Sequence, residues 1–355
     1  MSQDAAPLLT DVLQQVSRSF YKTLWILPRS VRRPISLAYL LARATDTIAD
    51  TEMLPVKLRL DALRHFRERI AGAHRQPLDF GALAAQQGTP GERVLLERAE
   101  EALALLEAFP EEDQDRIREV LRTITSGQEL DLQRFGGAAA ESIVALQSDT
   151  ELDDYTYRVA GCVGEFWTKM CEAHVYHAME LDVLMLSTPH FDHLSVRFGK
   201  GLQLVNILRD LPVDLRKGRC YLPEDKLRAA GLAPADLLKP ENEPRLRPLY
   251  DTYLDTARAH LEAGWEYTNL VPGSPRVRLA CAWPILIGVR TLALLRTGNV
   301  LDPARRIKVS RAEVKRIILR SVAGLVVRPM WRGLFARASV PAVSDCGGKR
   351  TATLL

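Results

Sequence analysis

The stretch AYLLARATDTIADTEM, residues 38 to 53, places two aspartates, Asp46 and Asp50, four positions apart in a run rich in alanine and leucine. Its apolar residues recur at helical spacing. Residues four apart on a helix lie on one face, about 6 Å apart along the axis, so the two carboxylates converge on one patch. Like charges repel there, and an apolar groove increases the repulsion unless a cation is shared. The stretch therefore predicts a helix with two acids on one face and raises the question of what offsets their repulsion.

A second stretch, NILRDLPVDLRKGRCYLPED (206–225), repeats this spacing with Asp210 and Asp214. Arg43 lies one turn before Asp46, and Arg209 lies beside Asp210. A single pair of this kind is usually a solvated helix face, because short motifs match by chance. Two pairs, each in an apolar helix and each beside an arginine, favour carboxylates that face each other across a helical bundle. Such carboxylates hold hard cations such as Mg²⁺ together with the phosphates of a ligand.

The rest of the chain also indicates helices. Apolar residues recur at helical spacing over 57–72, 92–109, 114–134, 152–187, 195–211, 245–271, 279–296 and 311–327. No convincing alternating pattern of a strand appears. Proline and glycine clusters separate these segments, and none is long enough for a domain linker. We therefore expect an all-α protein with one helical domain over residues 10–335 and a low-order polar tail at 338–355.

Composition excludes several classes of protein. The 355 residues include 48 basic and 44 acidic side chains, and their interspersion argues against a nucleic-acid-binding face. The five cysteines form no CxxC pair, which indicates reduced thiols and no zinc site. We find no signal-peptide pattern and no uncharged apolar run near the roughly 20 residues of a membrane-spanning helix. We expect a cytoplasmic protein, with contact to the inner face of the membrane as the open alternative.

Four motifs in order give the chain a family resemblance. They are SRSF (17–20), RATDTIAD (43–50), YTYRVAGCVG (155–164) and LQLVNILRDLPVDLRKGRCYLP (202–223). With them the chain resembles the squalene/phytoene synthases, enzymes that join two prenyl diphosphates head to head, from about residue 15 to 320. The resemblance implies the single-domain helical bundle of the isoprenoid synthases around a central cavity. It also implies farnesyl or geranylgeranyl diphosphate as substrate.

The resemblance assigns roles to residues. It implies that Asp46, Asp50, Asp210 and Asp214 bind Mg²⁺, with Mn²⁺ as an alternative metal, and that Tyr155 serves at the reacting centre. The substrate-binding residues by motif are Ser17, Arg18, Ser19, Phe20, Arg43, Gln128, Gln203, Arg209 and Arg219. Two positions depart from the pattern: Gln128 stands where methionine is common, and Pro212 lies inside the second acid motif, where it is expected to end or bend the helix.

The implied chemistry needs a dry pocket. An allylic diphosphate ionises when metal and arginine stabilise the leaving group, and water would then quench the carbocation. Tyr155 would be a weak base unless neighbouring cations lowered its pKa from about 10. The small residues Ala160, Gly161 and Gly164 suit either the passage of a prenyl chain or close packing of two helices, and the sequence does not decide between them.

A reduction step separates the members of the family. Squalene synthases reduce their intermediate with NADPH, whereas dehydrosqualene and phytoene synthases lose a proton instead. The segment GKGLQL (199–204) is not a Rossmann motif. However, Asn206 and the basic segment RRIKVSRAEVKR (305–316), with Lys308 and Arg311, resemble the cofactor contacts of squalene synthases. The sequence therefore favours squalene synthase, with farnesyl diphosphate and NADPH, over the alternative of the same condensation without reduction.

Three further features leave alternatives open. The segment IILRSVAGLVVRPMWRGLF (317–335) suits either a membrane interface, with Trp331 and arginines at the headgroups, or packing on the core. His174 and His177 lie three apart without a third ligand, so partly exposed polar residues are favoured over a metal site. A non-catalytic relative acting as an interaction protein is disfavoured because all four motif aspartates are present. We expect a monomer that binds no nucleic acid.

Overall fold

The computed structural model describes residues 8–17, 20–176 and 188–340. It is the all-α bundle that the sequence predicts. The α-helices, numbered in chain order, are α1 (Leu13–Ser17), α2 (Tyr21–Ile26), α3 (Arg29–Ala49), α4 (Val56–Ile70), α5 (Gly81–Ala85), α6 (Pro90–Glu97), α7 (Ala99–Glu107), α8 (Glu111–Phe135), α9 (Asp149–Thr156), α10 (Cys162–Cys171), α11 (Pro189–Arg216), α12 (Glu224–Ala229), α13 (Glu243–Leu270), α14 (Pro275–Leu295), α15 (Arg311–Val326), α16 (Arg328–Arg332) and α17 (Leu334–Ser339). Short π-helical segments cover Leu8–Val12, Tyr157–Gly161 and Glu172–Tyr176, and 3₁₀ turns cover Pro234–Leu238 and Pro240–Asn242.

Several helices begin where the sequence supplies a capping side chain. Thr89, Thr188 and Ser274 each accept a hydrogen bond from a backbone N–H in the first turn, and each is followed directly by proline. Proline suits the first helical position because its missing N–H would be unpaired there anyway. Ser310 and Glu313 form a reciprocal capping box at the start of α15. These local signals set the positions of α6, α11, α14 and α15.

Most predicted helical segments are confirmed with shifted ends. The segment 92–109 divides into α6 and α7, and the segment 195–211 belongs to the longer α11. The segment 152–187 contains α9, α10 and two π-helical segments up to Tyr176, and residues 177–187 lie outside the described residues. Helix α17 continues to Ser339, past the predicted start of the tail at residue 338. The low-order tail itself falls largely on residues 341–355, outside the described residues, and stays a prediction.

One pair of short strands departs from the expected all-helical pattern. Strand β1 (Val144–Ala145) pairs in parallel with β2 (Arg219–Cys220). Gly218 leads into β2 with φ of 77°, and a Cβ atom there would lie 2.3 Å from the backbone nitrogen of Ala139. Only glycine fits this turn. The pairing holds the chain after α11 close to the loop after α8, and this fixes the position of Arg219.

The core consists of two apolar clusters. One gathers side chains mainly from α1 to α8 and α10, and the other mainly from α9 and from α11 to α17. Phe198 of α11 packs against both. Helix α11 packs along α13 and also touches α10 and α14, so it lies centrally in the bundle. Its second acid motif is thereby brought to the junction of the two clusters.

Pro212 neither ends α11 nor leaves a carbonyl unpaired. The helix continues to Arg216, although proline cannot donate the usual hydrogen bond to the carbonyl four residues earlier. That carbonyl belongs to Leu208, and the buried hydroxyl of Tyr250 on α13 donates to it at 2.9 Å. A side chain of the neighbouring helix therefore replaces the missing backbone donor. The second acid motif stays helical across its proline.

Helix α14 is the most apolar long helix of the bundle. Within the described part of the chain, it alone is long and apolar enough to cross a membrane by length and composition. Arg276, Arg278 and Arg290 interrupt its apolar run, so it is consistent with the expectation that no uncharged run of this length occurs. Its apolar window is 78% buried inside the protein, and the core helices of folded domains have this character.

The cysteines carry no disulfide bond among the described residues. Cys162, Cys171, Cys220 and Cys281 are free and buried, and Cys346 lies outside the described residues.

Candidate active site

A cavity of about 630 Å³ opens between the helices of the bundle. Helices α3, α8, α10, α11, α13 and α14 all contribute to its lining, together with Tyr155 of α9. All four motif aspartates lie in this lining. The predicted convergence of the two acid pairs, Asp46 with Asp50 and Asp210 with Asp214, on one cavity is therefore present in the fold. The charged groups that accompany them are Arg43, Asp131, Lys217 and Arg219.

The first acid pair is tied to distant parts of the chain. Arg43 donates a hydrogen bond from one guanidinium N–H group to Asp46 and from another to Glu92 on α6. Arg219 approaches Asp50 at 3.8 Å. Burial and the charge of Asp50 raise the pKa of Asp46 to about 7, and burial raises the pKa of Asp50 as well. The pair is therefore short of positive charge even with its arginines in place.

The second acid pair is held from within its own helix. Arg209 donates to both carboxylate oxygens of its neighbour Asp210. Asp214 makes no ion pair within the described residues, and burial followed by the charge of Asp210 raises its pKa to about 7. The basic residues that follow this motif make their ion pairs at the end of α3, next to the first pair. Lys217 contacts Glu52 at 2.9 Å, and Arg219 contacts both Asp50 and Glu52.

Both acid pairs occupy the carboxyl ends of their helices. Asp50 is the C-cap of α3, and Asp214 lies in the last turn of α11. The helix dipole places partial negative charge at these ends, which disfavours carboxylates and favours cations. No group of three or more His, Cys, Asp or Glu side chains within the described ranges is close enough to hold a metal ion. A hard cation here would take one or two carboxylates and complete its shell with phosphate oxygens and water, the usual arrangement for Mg²⁺.

A hydrogen-bonded set that the sequence analysis missed lies beside the acid pairs. The hydroxyl of Tyr221 lies 3.1 Å and 3.0 Å from the two carboxylate oxygens of Asp131. Its ring stacks on Tyr155 with centroids 4.9 Å apart, and the interaction of the two phenol groups lowers the pKa of Tyr155 and raises that of Tyr221. Burial raises the pKa of Asp131 to about 6. Asp131 stands three residues after Gln128 in SGQELDL, so helical spacing was the one available signal.

Tyr155 lies where the resemblance places it, but its acidity moves in the unexpected direction. Burial and then the charge of Asp131 raise the pKa of Tyr155 well above its ordinary value. The condition under which a phenol acts as a simple base, a lowered pKa, is absent in the protein alone. Tyr155 is a neutral hydroxyl in the cavity wall that can accept a proton only as it passes its own proton on.

Other predicted residues lie in the cavity wall as neutral groups. Gln128, Gln203 and Asn206 all contribute to the lining. The Oε1 atom of Gln128 is buried and finds no hydrogen-bond partner among the described residues. Phe20 also lines the cavity and stacks on Tyr39 at 5.2 Å. The rest of the wall is mainly apolar and aromatic.

Gly161, Gly164 and Gly199 lie where the helices approach each other closely, and packing explains them. A Cβ atom on Gly164 would lie 1.9 Å from the carbonyl oxygen of Ser195, and one on Gly199 would lie 2.0 Å from that of Ala160. Gly161 would crowd Val196 and the ring of Tyr157. Of the two open interpretations, close helix packing therefore accounts for the glycines. Ala160 and Gly164 also line the cavity, so the tightly packed strip forms part of its wall.

Several predicted site residues are not brought to the cavity. Ser17 is buried in α1, where its hydroxyl donates to the carbonyl of Leu13. Arg209 supports Asp210 and is absent from the lining. Lys308 and Arg311 are exposed and are not lining residues either. Arg18 and Ser19 lie outside the described residues, so their predicted role in substrate binding stays a prediction.

The histidine and the C-terminal tryptophan have structural partners. His174 lies 2.9 Å from the buried carboxylate of Asp113, and His177 lies outside the described residues. Trp331 is buried, stacks on Trp265 at 5.1 Å and donates its indole N–H to Asn269. Of the two alternatives left open by the sequence, core packing therefore applies to this residue.

The helical fold and the two acid pairs on one cavity define the class of the protein: an isoprenoid-synthase helical bundle. Residues 13–313 match the family described as squalene/phytoene synthase. The chain belongs to this family.

Relatives of both activities resemble the chain to a similar degree. It is 28% identical to the 15-cis-phytoene synthase of Synechocystis over 73% of its own length and 68% of the relative. It is 26% identical to the squalene synthase of Saccharomyces cerevisiae over 82% of its length and 63% of the relative. It is 27% identical to the presqualene diphosphate synthase of Rhodopseudomonas palustris over 85% of its length and 92% of the relative.

Solved structures share the fold. The complex of TcSQS with the ligand E5700 superposes with a TM-score of 0.77 at 22% identity, covering 97% of this chain and 94% of that one. A dehydrosqualene synthase complex superposes with a TM-score of 0.64 at 20% identity, covering 92% of this chain and 98% of that one. The predicted fold class is confirmed.

Proposed function

We propose that the protein is a squalene synthase that condenses two molecules of farnesyl diphosphate head to head through presqualene diphosphate and reduces the product with NADPH. The observation that carries the proposal is that both acid pairs line one cavity whose remaining wall is mainly apolar. Carboxylates collected in a pocket of this kind suit a diphosphate held through cations. The apolar wall suits two long prenyl chains and the cation that forms between them.

The charged side chains would bind and orient the leaving group. Arg43, Lys217 and Arg219 line the cavity beside the acid pairs and would donate to diphosphate oxygens as charge develops on them. The aromatic wall, with Tyr39, Phe166 and Trp167, would exclude water and favour a positive charge near the ring faces. Together these groups would let the carbon–oxygen bond of the diphosphate break without an attacking nucleophile from the protein.

The acid pairs suit Mg²⁺ as the cation, with Mn²⁺ as an alternative. The donors are all carboxylate oxygens, which these hard ions prefer. The raised pKa values of Asp46 and Asp214, about 7 in each case, indicate sites that lack positive charge. When bound, the metal would neutralise the departing diphosphate. Asp46, Asp50, Asp210 and Asp214 are the residues that would hold it.

The reduction step has one supporting residue in the cavity. Asn206 of α11 lines the wall one turn before Asp210, where the amide of a nicotinamide could bind. Lys308 and Arg311 would contact the phosphates of NADPH from outside the cavity. Their exposed positions favour a second candidate, the same condensation without reduction, as in a dehydrosqualene or phytoene synthase.

The test uses purified protein with Mg²⁺ and either the C15 or the C20 diphosphate, with and without NADPH. Squalene that appears only with NADPH supports the first proposal. Dehydrosqualene formation indifferent to NADPH supports the second candidate, and turnover of the C20 substrate alone identifies a phytoene synthase. No condensation of either diphosphate overturns both. Replacing Asn206 by Ala should reduce squalene formation more than diphosphate release.

We also propose a peripheral contact between α15 and an anionic membrane on the cytoplasmic side. Leu319, Val322 and Val326 are 71%, 47% and 87% exposed, and their spacing puts them on one outward face of the helix. Between residues 305 and 337 the chain has ten basic residues and one acidic residue. That acid, Glu313, already pairs with Arg290. An apolar stripe among unpaired basic residues suits the surface of an anionic bilayer.

Vesicle sedimentation tests this contact. The protein should pellet with vesicles that contain phosphatidylglycerol, and less with neutral phosphatidylcholine or at high salt. Replacing Leu319 and Val326 by Gln should release it. Met53, which is 78% exposed elsewhere, supplies a matched control variant, Met53→Gln, that should still pellet. Equal sedimentation of all variants, or none by the wild type, would overturn the contact.

A further inference from the structure

Asp131, Tyr221 and Tyr155 lie in succession between a carboxylate and the cavity wall: Tyr221 hydrogen-bonds to Asp131 and stacks on Tyr155. Tyr155 is 8% exposed and Tyr221 is 6% exposed, so neither hydroxyl is open to bulk water. Tyr221 has one hydroxyl proton, and Asp131, as a carboxylate, can only accept it. The ring of Tyr155 stacks on that of Tyr221, and a proton that leaves Tyr155 towards Asp131 must pass to the oxygen of Tyr221. In that arrangement both hydroxyl protons point towards Asp131.

We propose that this set is the proton relay of the condensation, with Asp131 as the final acceptor of the proton that the substrate cation loses. The inference rests on the proposed function and deepens it. As the C–H bond of the cation breaks, its electron pair closes the cyclopropane ring, and the proton moves to the oxygen of Tyr155. Tyr155 passes its own proton to Tyr221, and Tyr221 passes its proton to Asp131. One C–H bond is exchanged for one carbon–carbon bond and one protonated carboxyl group, with no oxidant or reductant.

The chemistry of the three groups fits this direction. A neutral phenol with a raised pKa cannot hold the proton as a free base, but it can transmit one while it stays neutral. Asp131, with a pKa of about 6, is largely ionised at neutral pH and can take the proton. Arg219 lies 3.8 Å from Asp131 and helps to keep it ionised.

Other charges also act on this carboxylate from the elements around it. Arg134 on the same helix lowers its pKa, and Asp50 at the end of α3 raises it. Asp131 and Asp214 of α11 repel each other. A bound cation at the acid pairs would therefore favour the ionised form of Asp131 and prepare the relay at the moment when substrate is present.

Two variants test the relay. Asp131→Asn keeps an acceptor oxygen for Tyr221 but cannot take a proton, and Tyr221→Phe keeps the stacked ring but interrupts the path. Each should lower kcat for formation of the cyclopropyl product by about 10²-fold or more with little change in KM. The double variant should be no slower than either single variant, because all three proteins lack the same path.

The ratio of product to diphosphate release separates the relay from the metal site. Asp131→Asn should still ionise the substrate, so diphosphate release should exceed cyclopropyl product while prenyl alcohols accumulate. The wild type at saturating Mg²⁺ should lose kcat as the pH falls through about 6, where Asp131 becomes protonated, and this acid limb should be missing from the residual activity of Asp131→Asn. Glu129→Gln is the control, since Glu129 lies on the same helix but pairs with Arg67 at 2.6 Å, and its kcat should be retained.

The possible failures are distinguishable. Wild-type kcat and pH profile in Asp131→Asn and Tyr221→Phe would show that the released diphosphate takes the proton, and would overturn the relay alone. A rise in KM without loss of kcat would show that Asp131 only supports the binding surface, and would also overturn it. A wild-type protein that forms no cyclopropyl product would overturn the proposed function and the relay together.

Discussion

The two acid pairs have the same spacing and opposite surroundings. Asp46 and Asp50 are connected to distant segments through Arg43, Glu92 and Arg219. Asp210 relies on its neighbour Arg209, and Asp214 has no ion-pair partner among the described residues. The difference arises because the basic tail of the second motif reaches across to the first motif. Identical sequence motifs therefore form one unequal site, in which the first pair has ion-pair partners from distant segments and the second has one from its own helix.

The largest expected effect comes from removing one carboxylate of either pair. Asp46→Asn and Asp214→Asn should each reduce diphosphate release by about 10³-fold or more, because metal-assisted charge neutralisation is worth several kcal/mol. Pyrophosphate release and Mg²⁺ titration calorimetry measure the two losses. Asp113→Asn, which alters a buried aspartate that pairs with Arg116 and His174, is the control. If one of the two variants kept full diphosphate release, the two pairs would not act as one site.

Substitutions of Arg219 and Arg209 should show directly that the two acid pairs differ in their surroundings. Arg219→Gln removes a cavity-lining cation that serves the first pair and should lower kcat/KM by about 10²-fold, as does loss of one transition-state donor. Arg209→Gln removes only a side chain that supports Asp210. It should lower kcat/KM by about 10-fold, which is the effect usual for groups that orient metal ligands. Steady-state kinetics at several Mg²⁺ concentrations separate the two. An equal loss in both would contradict the assignment of Arg219 to the first pair.

Glu92 tests the outermost connection of the first pair. Glu92→Gln leaves Arg43 with Asp46 as its charged partner and should reduce kcat/KM by about two- to fivefold, since a single partly exposed ion pair is worth up to about 1 kcal/mol. Thr89→Val, which removes a hydroxyl that hydrogen-bonds to Glu92, controls for loosening of the start of α6. An effect as large as that of Arg219→Gln would mean that Glu92 acts on substrate directly.

The smallest expected effect is in stability, and here the two pairs should agree. Asp46 and Asp214 keep protons up to about pH 7 in the native state, whereas in the unfolded chain they lose them near pH 4. The native state binds more protons between these values, so the metal-free protein loses stability as the pH rises from 4 to 7. Its Tm should fall over this interval, by less than the full pKa shifts would give because the side chain of Asp46 is 43% exposed to solvent. Mg²⁺ should restore it at pH 8.

Calorimetric scans of the single variants check that effect. Asp46→Asn and Asp214→Asn should each flatten the pH dependence of Tm of the metal-free protein to a similar extent. A Tm that rises between pH 5 and pH 8 without metal would show that the carboxylates already have enough positive charge around them.

The spacing of Asp46, Asp50, Asp210 and Asp214 predicted both the helices and the shared cavity, because helical periodicity is a local property of the chain. The caps at Thr89 and Ser274, seen in the structure, are likewise local features of the chain. Contacts between remote segments had no such signal. Glu92 looks like an ordinary first-turn acid, and only the folded chain shows that it pairs with Arg43.

The interpretation of Tyr155 shows the same limit. Its position could be predicted from the motif, but its acidity depends on burial and on Asp131. Lys308 and Arg311 illustrate the converse, since a matching local pattern does not bring a side chain into the cavity. Residue type and spacing predicted which side chains could belong to the site. Tertiary packing decided which of them reach the cavity and how their pKa values shift.

The backbone contacts at Gly164 and Gly199 have a consequence for how this cavity can diversify. Where α10 and α11 touch main chain to main chain, the wall has no side chain to shorten and no gap to fill. Its dimensions there cannot be adjusted by single substitutions. A change in the accepted prenyl length must therefore arise on the facing walls, at side chains such as Ile124 of α8 or Cys281 of α14. Libraries aimed at altered product size should leave the glycine strip intact and vary those walls.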